Sequence, residues 1–586
     1  MCGIAGVLRS DGRPVDPDDL RPMVAALHHR GPDDNAVYCK GRVGLAHTRL
    51  AIVDIENGGQ PLFSGKELAL VCNGEIYNAL YLRKRSRDFA FATGTDCEPI
   101  LELYERHGME ATRHLRGMYA FALSDSSRDE VVLARDPVGI KPLYYAPTKT
   151  GTVFASTISA LLSTGAIERT IDANAAQQFL QCQYSFGAAT PMSTVKRLLP
   201  GEVIRFRNGH IAERRRDHAL RPIRPQNWTE AESLSRFDDA IRNSVEAHLQ
   251  ADVPLGLFLS GGIDSSILLS VLAQSGRASL TTFTCGFEGQ FAADEREAAR
   301  SLSNAVGATH HAVEVTDADF INLLPQVAAA LDDPTADYAA LATYKLGQEA
   351  SKHVKAVLCG EGGDELFAGY GRYRVATQWW RFYRRGKLRA GIMDDLGVLR
   401  TDSVDWAGQL DGETPLHSEY ACRLRRMQAE EFSGWVPNDL MIKLDRCLMA
   451  HGVEGRVPFL DPIVIDTALQ MPDAHKIHGR MGKWILRRWL QLNSNAAQAF
   501  ARKQGFTPPI AHWLDLCGRR LAPLVAAQPV IREFCRTDAV ESLFGSGGKA
   551  AVKAAYLLLF FALWYKVHIE RCSPEGSIFD VLSVRS

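Results

Sequence analysis

Cys2 is the first residue in the chain whose chemistry could be catalytic. If Met1 is removed, Cys2 carries a thiol and a free α-amino group on the same residue. An α-amine titrates at about pH 8, so it can act as a general base for the neighbouring thiol. The sequence therefore predicts an N-terminal nucleophile, provided that the rest of the chain supplies a substrate pocket.

A second chemical feature is the sequence SGGIDSS at 260–266. It lies between a predicted strand, Leu255–Leu259, and a predicted helix, Ser265–Gln274. Glycines let the backbone approach an anion closely, and the amides at a helix N-terminus point towards it. An ordinary helix cap at Asp264 or Ser265 is the alternative. The order strand, loop, helix favours a phosphate-binding loop, and the chain contains no Walker A pattern.

The sequence GEGGDE at 360–365 follows another predicted buried strand, Lys355–Cys359. Carboxylates beside a triphosphate are useful mainly when a Mg²⁺ ion screens their charge. We therefore predict that Asp264 and Asp364 are the ligands of a magnesium ion. In isolation the same sequence would be an acidic surface turn.

The sequence predicts two different patterns of secondary structure, one around each group of these residues. Up to about residue 205, short strands with separate helices indicate an α+β layered domain. Residues 206–229 are rich in Arg and Pro and predict a linker. From residue 230, strands and helices alternate, which predicts a doubly wound parallel sheet, and residues 370–586 are mainly helical.

The predicted strands are Val43–Ala46, Leu68–Cys72, Met118–Leu123, Val131–Ala134, Thr152–Ala155, Leu255–Leu259, Leu280–Cys285, His311–Val315 and Lys355–Cys359. The predicted helices are Pro17–Ala26, Glu98–His107, Ser265–Gln274 and Asp294–Val306.

Composition narrows the class of protein. The 67 basic and 68 acidic residues nearly cancel, so we expect neither a nucleic-acid partner nor a membrane surface. The 12 cysteines are few for a chain of 586 residues, and several lie in apolar runs. This pattern favours reduced thiols in a cytoplasmic protein. We expect no signal peptide, and the apolar run Ala554–Tyr565 is shorter than the roughly 20 residues needed to span a bilayer. It predicts a core helix.

The N-terminal half resembles the class II glutamine amidotransferases, which are N-terminal-nucleophile hydrolases. The motifs that carry the resemblance are MCGIAG at 1–6, HRGPD at 29–33, LAHTRLAIV at 45–53, NGEIY at 73–77 and GTDCE at 94–98. The resemblance implies a four-layer αββα sandwich in which Cys2 attacks glutamine. It assigns the oxyanion hole to the Asn73 side chain and the Gly74 amide, the carboxylate clamp to Arg49 and the ammonium anchor to Asp96. It also implies contacts to glutamine from Leu50, Ile52, Val53 and Glu75.

The second half resembles the PP-loop ATP pyrophosphatases, whose Ser-Gly-Gly-x-Asp-Ser loop holds the phosphates that leave as pyrophosphate. Such enzymes adenylate a substrate. The ATP contacts implied are Phe258, Leu259, Ser260, Gly261, Gly262, Asp264, Ser265, Cys285, Cys359 and Gly360. ATP as a substrate and Mg²⁺ are therefore expected, without an organic prosthetic group.

In this order the two halves resemble the glutamine-dependent asparagine synthetases over almost the whole chain. Further matches are DDP at 332–334, HGVEGRVPFLD at 451–461 and GKWILR at 482–487. The resemblance implies that ammonia released at Cys2 passes through an internal tunnel and attacks an acyl-adenylate. Lys483 is expected to stabilise charge there, and Glu361 to orient ammonia or move its proton. Small-molecule substrates are the implied partners, and homodimers are usual in the family.

The identity of the acceptor stays open at this stage. Asp332–Tyr344 contains no arginine for an amino-acid carboxylate, and Gly455 stands where the related motif commonly has Ala. Aspartate is one alternative, and another carboxylic acid of a peptide, polysaccharide or secondary-metabolite pathway is the other. A β-lactam-forming relative is expected to lack the glutaminase residues. A scaffold or a nucleotide-binding regulator would leave ATP unsplit.

Overall fold

The protein is described here by a computed structural model that covers residues 2–65, 67–276, 280–289, 294–376, 390–401, 404–414, 419–420, 422–501 and 508–584. Met1, which must be removed if Cys2 is to carry a free α-amine, lies outside the described residues. Two antiparallel sheets of six strands form the first part of the chain. In spatial order, the first sheet contains Lys196–Arg197, Tyr144–Thr148, Gly151–Ala155, Gly3–Arg9, Val43–Arg49 and Asp34–Lys40. The second contains His210–Arg216, Glu202–Arg207, Glu130–Arg135, Gly117–Asp125, Leu68–Ile76 and Leu62–Ser64.

The alternation of side chains along each strand explains how these sheets stack. In Gly3–Arg9, Ile4 and Leu8 pack in a cluster with residues of the second sheet, whereas Ala5 and Val7 pack in a cluster with the outer helices. The helices of this part are Arg21–Leu27, Ala79–Arg85, Pro99–His107, Ile158–Ser163 and Ala173–Cys182. The layers are thus helix, sheet, sheet, helix, which confirms the predicted αββα sandwich.

Five parallel strands form the sheet of the second part. Their spatial order is Thr309–Val315, Thr281–Phe287, Leu255–Phe258, Ala356–Leu358 and Glu454–Arg456. The connections run outwards in opposite directions from Leu255–Phe258 and Ala356–Leu358, so the sheet is doubly wound, as predicted. Such sheets bind ligands where the strand order reverses, beyond the carboxyl ends of the strands. Both predicted loops, 260–266 and 360–365, begin at this point.

Helices surround the parallel sheet and make up most of the remaining chain. They are Glu230–His248, Ile263–Gln274, Arg296–Ala305, Asp317–Ala330, Ala340–Ala350, Gly363–Leu366, Gly371–Ala376, Trp406–Glu413, Arg423–Ser433, Met441–Met449, Pro462–Gln470, Asp473–Lys476, Trp484–Asn493, Ile510–Ala526, Pro529–Phe534, Thr537–Leu543, Lys549–His568 and Ile578–Ser583. A two-stranded hairpin joins Ile477–His478 to Met481–Gly482.

The most apolar helix is longer than the sequence analysis expects. Lys549–His568 has 20 residues and is long and apolar enough to cross a membrane, but 67% of its apolar window is buried inside the protein. Phe560, Phe561 and Trp564 are fully buried in a core cluster. The helix therefore packs as a core helix, as predicted from Ala554–Tyr565.

Three local differences from the sequence-based expectations have physical reasons. The strand Gly3–Arg9 carries glycines, which weaken its strand pattern, and it was not predicted. The predicted linker 206–229 contains the strand His210–Arg216, which pairs with Glu202–Arg207 at an exposed sheet edge, where arginines are tolerated. The predicted helix Pro17–Ala26 is divided into a 3₁₀ turn and Arg21–Leu27, because a helix accepts Pro22 only in its first turn.

Candidate active sites

Cys2 lies where the ends of the two antiparallel sheets meet. It precedes the strand Gly3–Arg9 of the first sheet, and its backbone nitrogen donates a hydrogen bond of 3.1 Å to Oδ1 of Asn73, in the second sheet. The side chain is 8% exposed. Burial raises the pKa of the Cys2 thiol, while the positive N-terminus and the Leu50 amide act in the opposite direction. A thiol in this environment needs a base to become a nucleophile.

Asn73 has an unused donor beside this nucleophile. The residue is fully buried, and its Oδ1 is occupied by the nitrogen of Cys2. Among the described residues its Nδ2 has no hydrogen-bond partner, and a buried donor without a partner is rare and costly. The neighbouring Gly74 lies close to the strand Gly117–Asp125, since an added Cβ would meet the Met118 oxygen at 2.3 Å. The arrangement suits an oxyanion hole, which requires preorganised donors.

Arg49 holds the backbone of the loop that follows it. Its Nη1 donates to the Ile55 oxygen at 3.0 Å, and its Nη2 donates to the oxygens of Asp54 at 2.5 Å and Val53 at 3.4 Å. The side chain is 7% exposed. Leu50 and Ile52 are buried in the same loop, beside Val53. Arg49 therefore shapes the loop here, and its contact with a substrate carboxylate stays a prediction.

Two carboxylates complete the predicted glutamine pocket. Asp96 accepts a hydrogen bond from the backbone of Ile76, and burial raises its pKa. Burial also raises the pKa of Glu75, although the Arg456 guanidinium 3.0 Å away opposes this shift. A cationic ammonium group would compensate both buried acids. Arg456 belongs to the parallel-sheet part of the chain and was not among the predicted site residues.

The loop 260–266 opens into a large cavity of ≈ 2260 Å³. Gly261 has a φ of +72°, which favours glycine, and the Ser260 and Ser265 hydroxyls are 3.1 Å apart. The predicted ATP contacts that line the cavity are Phe258, Leu259, Ser260, Gly261, Gly262, Asp264, Ser265, Cys285 and Gly360. Cys359 is 1% exposed and lies behind this lining.

Lys483 connects the two predicted magnesium ligands. Its Nζ donates to Oδ2 of Asp264 and lies 2.8 Å from Oδ1 of Asp364. All three residues line the cavity. Burial would lower the pKa of Lys483, but the two carboxylates outweigh it and raise the pKa to about 12. The residue has a φ of +56° and begins the helix Trp484–Asn493. The structure thus places a lysine cation beside Asp264, in the predicted phosphate-binding loop.

Glu361 faces a second lysine that sequence reasoning missed. Burial raises the pKa of Glu361, and Lys443 opposes this shift. Lys443 lines the cavity and donates to Asp337 at 2.8 Å. Burial would lower the pKa of Lys443, but the carboxylates of Asp337 and Glu361 outweigh it, so the pKa is raised. The sequence offered no signal for Lys443, because a lysine on a helix is usually solvated, and only the structure shows that every residue of Met441–Met449 is buried.

Buried ion pairs join the two candidate sites. Arg30 donates to the Cys2 oxygen through Nε at 3.3 Å and to both carboxylate oxygens of Asp445 at 2.7 and 3.0 Å. Arg446 extends this series of ion pairs, because its guanidinium lies 3.2 Å from the Asp445 carboxylate and 2.9 Å from the Asp332 carboxylate. Each of these side chains is at most 3% exposed. The backbone of the nucleophile is therefore attached to a helix of the parallel-sheet part.

The cavity also contains arginines outside the segment where the sequence analysis looked for one. Arg423 and Arg426 lie on the helix Arg423–Ser433, and Arg372 lies on Gly371–Ala376. Arg372 pairs with Glu431 at 2.5 Å. Arginines such as Arg423 and Arg426 can therefore bind an acceptor carboxylate at the cavity wall, although the segment Asp332–Tyr344 contains no arginine.

Family models match both parts of the chain. A model described as a glutamine amidotransferase domain matches residues 1–216, and a model described as asparagine synthase matches residues 236–566. The chain is 31% identical over 628 residues to glutamine-hydrolysing asparagine synthetase 1 of Bacillus subtilis, with 98% of each protein covered. It is 29% identical to asparagine synthetase B of Escherichia coli, with 98% of this chain and 94% of the relative covered. Asparagine synthetase 3 of Arabidopsis thaliana is 30% identical, with 88% and 80% covered.

Proposed function

The chain belongs to the asparagine synthase family, with a glutamine amidotransferase domain, and on that basis we propose that it makes asparagine from aspartate, glutamine and ATP. Glutamine is hydrolysed to glutamate and ammonia in one site. Aspartate is activated in the other as its β-acyl-adenylate, with release of pyrophosphate. Ammonia then displaces AMP to form the amide. The proposed domains are 1–205 and 230–586, joined by 206–229.

The observation that carries the glutaminase half is the pairing of Cys2 with Asn73. With Met1 removed, the α-amine of Cys2 takes the thiol proton, and the thiolate attacks the side-chain carbonyl of glutamine. The Oδ1 of Asn73 orients the amine, and its unpartnered Nδ2 stabilises the oxyanion together with the Gly74 amide. Collapse of this intermediate releases ammonia and leaves a thioester, which water hydrolyses. Asp96 and Arg49 bind the two charged groups of glutamine.

In the synthetase half, the loop 260–266 binds the β- and γ-phosphates of ATP. The acceptor carboxylate attacks the α-phosphorus, and pyrophosphate leaves. Lys483 stabilises the negative charge that develops on the phosphates and then on the tetrahedral intermediate. Glu361, whose pKa is raised, takes a proton from the attacking ammonia. Phe258 and Cys285 border the adenine.

Asp264 and Asp364 fit a magnesium ion. They offer carboxylate oxygens, the ligands that Mg²⁺ prefers, at the mouth of the phosphate-binding loop. The ion would screen the triphosphate and so favour departure of pyrophosphate. In the free enzyme Lys483 neutralises the two carboxylates, which keeps them ordered for the nucleotide.

Aspartate as the acceptor is supported by the named relatives and by the cations of the cavity wall. The test is to incubate the enzyme with ATP, Mg²⁺, glutamine and aspartate, and to measure asparagine, AMP and pyrophosphate. We expect the three products in equal amounts. Release of glutamate without asparagine, with AMP formation restored by a different carboxylic acid, would replace aspartate by that acid and keep the rest of the scheme.

A further inference from the structure

Three side chains at the edge of the parallel sheet form a cluster outside both candidate sites. His311 lies on the edge strand Thr309–Val315, Glu349 lies on the helix Ala340–Ala350, and His353 follows that helix. One ligand atom from each lies within 4.8 Å of the other two. We propose that His311, Glu349 and His353 bind one divalent transition-metal ion of the zinc class.

The donor set has the chemistry of such an ion. Two imidazoles and one carboxylate are ligands of zinc sites that keep a fourth position for water. Ligand atoms around tetrahedral zinc lie roughly 3.4 Å apart. Since the three atoms here lie within 4.8 Å of one another, none of the separations must close by more than about 1.4 Å. His353 can move, because it is exposed and lies beyond the end of the helix. His311 is more fixed, since its ring stacks on Phe283 at a centroid distance of 5.3 Å.

The carboxylate of Glu349 has one oxygen directed towards the imidazoles. Its Oε1 lies 3.4 Å from Nε2 of His353, and its Oε2 pairs with Nζ of Lys352 at 2.6 Å. An ion can therefore bind through Oε1 while the pair with Lys352 persists.

The position of the cluster links it to the nucleotide cavity. Phe258, Phe283 and His311 lie opposite one another in register across three strands, and the first two line the cavity. On the helix side, Leu346 lines the same cavity one turn before Glu349. A bound ion would fasten the end of this helix to the edge strand, behind the proposed adenine pocket.

The experiment uses the full-length, tag-free protein after chelation and desalting. It is titrated with Zn²⁺ against a chromogenic indicator, and separately with Co²⁺, whose absorption reports ligand type and geometry. We expect His353→Gln and His311→Gln each to bind one equivalent fewer than the parent chain. The parent chain should show a cobalt spectrum without thiolate charge transfer. Zinc should raise the Tm of the parent chain but not that of His353→Gln.

His310→Gln is the matched control. His310 neighbours His311 on the same strand, but its Nδ1 lies 2.8 Å from the Thr282 hydroxyl, away from the cluster. This variant should bind zinc as the parent chain does. Equal stoichiometry in all variants, or an equal loss in His310→Gln, would overturn the proposal. None of these measurements requires glutamine, ATP or an acceptor, so their outcome is independent of the proposed synthetase reaction.

Discussion

Arg30 and Asp445 form a buried ion pair with two contacts, at nitrogen–oxygen distances of 2.7 and 3.0 Å. Through its Nε, Arg30 also holds the carbonyl of Cys2. Arg30 is therefore the single residue between the proposed glutaminase nucleophile and the helix Met441–Met449 of the proposed synthetase half.

Asp445→Asn should weaken both the fold and the use of glutamine. It leaves the Arg30 charge buried without its counter-ion, and breaking a buried pair costs about 3–5 kcal/mol. We expect a lower urea midpoint, and less asparagine formed per glutamate released than in the parent chain. The control is Asp466→Asn, whose partner Arg221 is 63% exposed; it should change stability by less than about 1 kcal/mol. Equal effects of both variants would contradict the coupling.

Cys2→Ala should abolish glutamine hydrolysis and keep synthesis from added ammonia, because the two reactions use separate sites. The measurement is asparagine formation with glutamine or with ammonium chloride as the nitrogen source. Cys39→Ala, at a half-buried thiol of the edge strand Asp34–Lys40 in the same sheet, serves as the control and should keep both. Loss of both activities in Cys2→Ala would refute the scheme of two sites. Intact mass should also show that Met1 is absent from the active enzyme.

Asn73→Ala should reduce kcat for glutamine hydrolysis by about 10²–10³, the usual effect of removing one oxyanion donor. The KM for glutamine should change less, because Nδ2 interacts mainly with the intermediate. Asn35→Ala, an exposed asparagine on the strand Asp34–Lys40, is the control. A tenfold rise in KM with unchanged kcat would assign Asn73 to ground-state binding instead.

Lys483→Gln should slow formation of AMP and pyrophosphate by about 10²–10³, since it removes the cation that faces the developing charge. Glutamine hydrolysis measured without ATP should be unaffected. Arg488→Gln lies on the same helix, and its guanidinium pairs with Glu230 at 3.0 Å, away from the proposed phosphates. It should retain activity, and a loss equal to that of Lys483→Gln would indicate a general effect on the helix.

Stability should fall in mild acid because of His248. Burial lowers the pKa of this histidine to about 4, despite the nearby Asp461 and the hydrogen bond with the Ser244 oxygen. Its folded pKa lies below the unfolded value of 6.5, so the unfolded chain binds a proton first as the pH falls. The stability present above pH 6.5 should decrease by about 2 kcal/mol at pH 5.

The measurement is the urea midpoint at pH 7.5 and pH 5 for the parent chain and for His248→Gln. The variant should be less stable at pH 7.5, because it loses the tilted ring contact with Tyr77, at a centroid distance of 4.0 Å. Its midpoint should nevertheless vary less between the two pH values. An unchanged difference would show that another group controls the acid transition.

Local patterns in the sequence were sufficient to predict the fold class and the position of the loop 260–266 between a strand and a helix, whereas phosphate binding by this loop stays a prediction. The helix Pro99–His107 and the strand Leu255–Phe258 differ from their predicted bounds by one residue at one end, because capping and apolar runs mark them clearly. The unused donor of Asn73 could not be predicted, since it depends on a hydrogen bond between two sheets.

The pairing of residues between the two parts of the chain could not be predicted from the sequence for a related reason. Arg30 lies within a recognised motif, but its partner is 415 residues away, and nothing local to Asp445 indicates the pairing. Lys443 was missed because its charged helix would ordinarily be exposed, and the burial of Met441–Met449 depends on contacts that are distant in sequence. The arginines of the cavity wall come from helices that no motif connects with the acceptor segment Asp332–Tyr344.

The buried helix Lys549–His568 bears on how the protein is made. Phe561 packs against Phe179 of the first part, at a ring distance of 5.0 Å, and Trp564 donates to the Asp332 oxygen at 3.1 Å. Ala5, in the first strand, belongs to the same core cluster. A nascent chain therefore cannot close this core until the helix Lys549–His568 has left the ribosome. Premature termination before Lys549 should send even the earliest-synthesised domain to the cell's proteases.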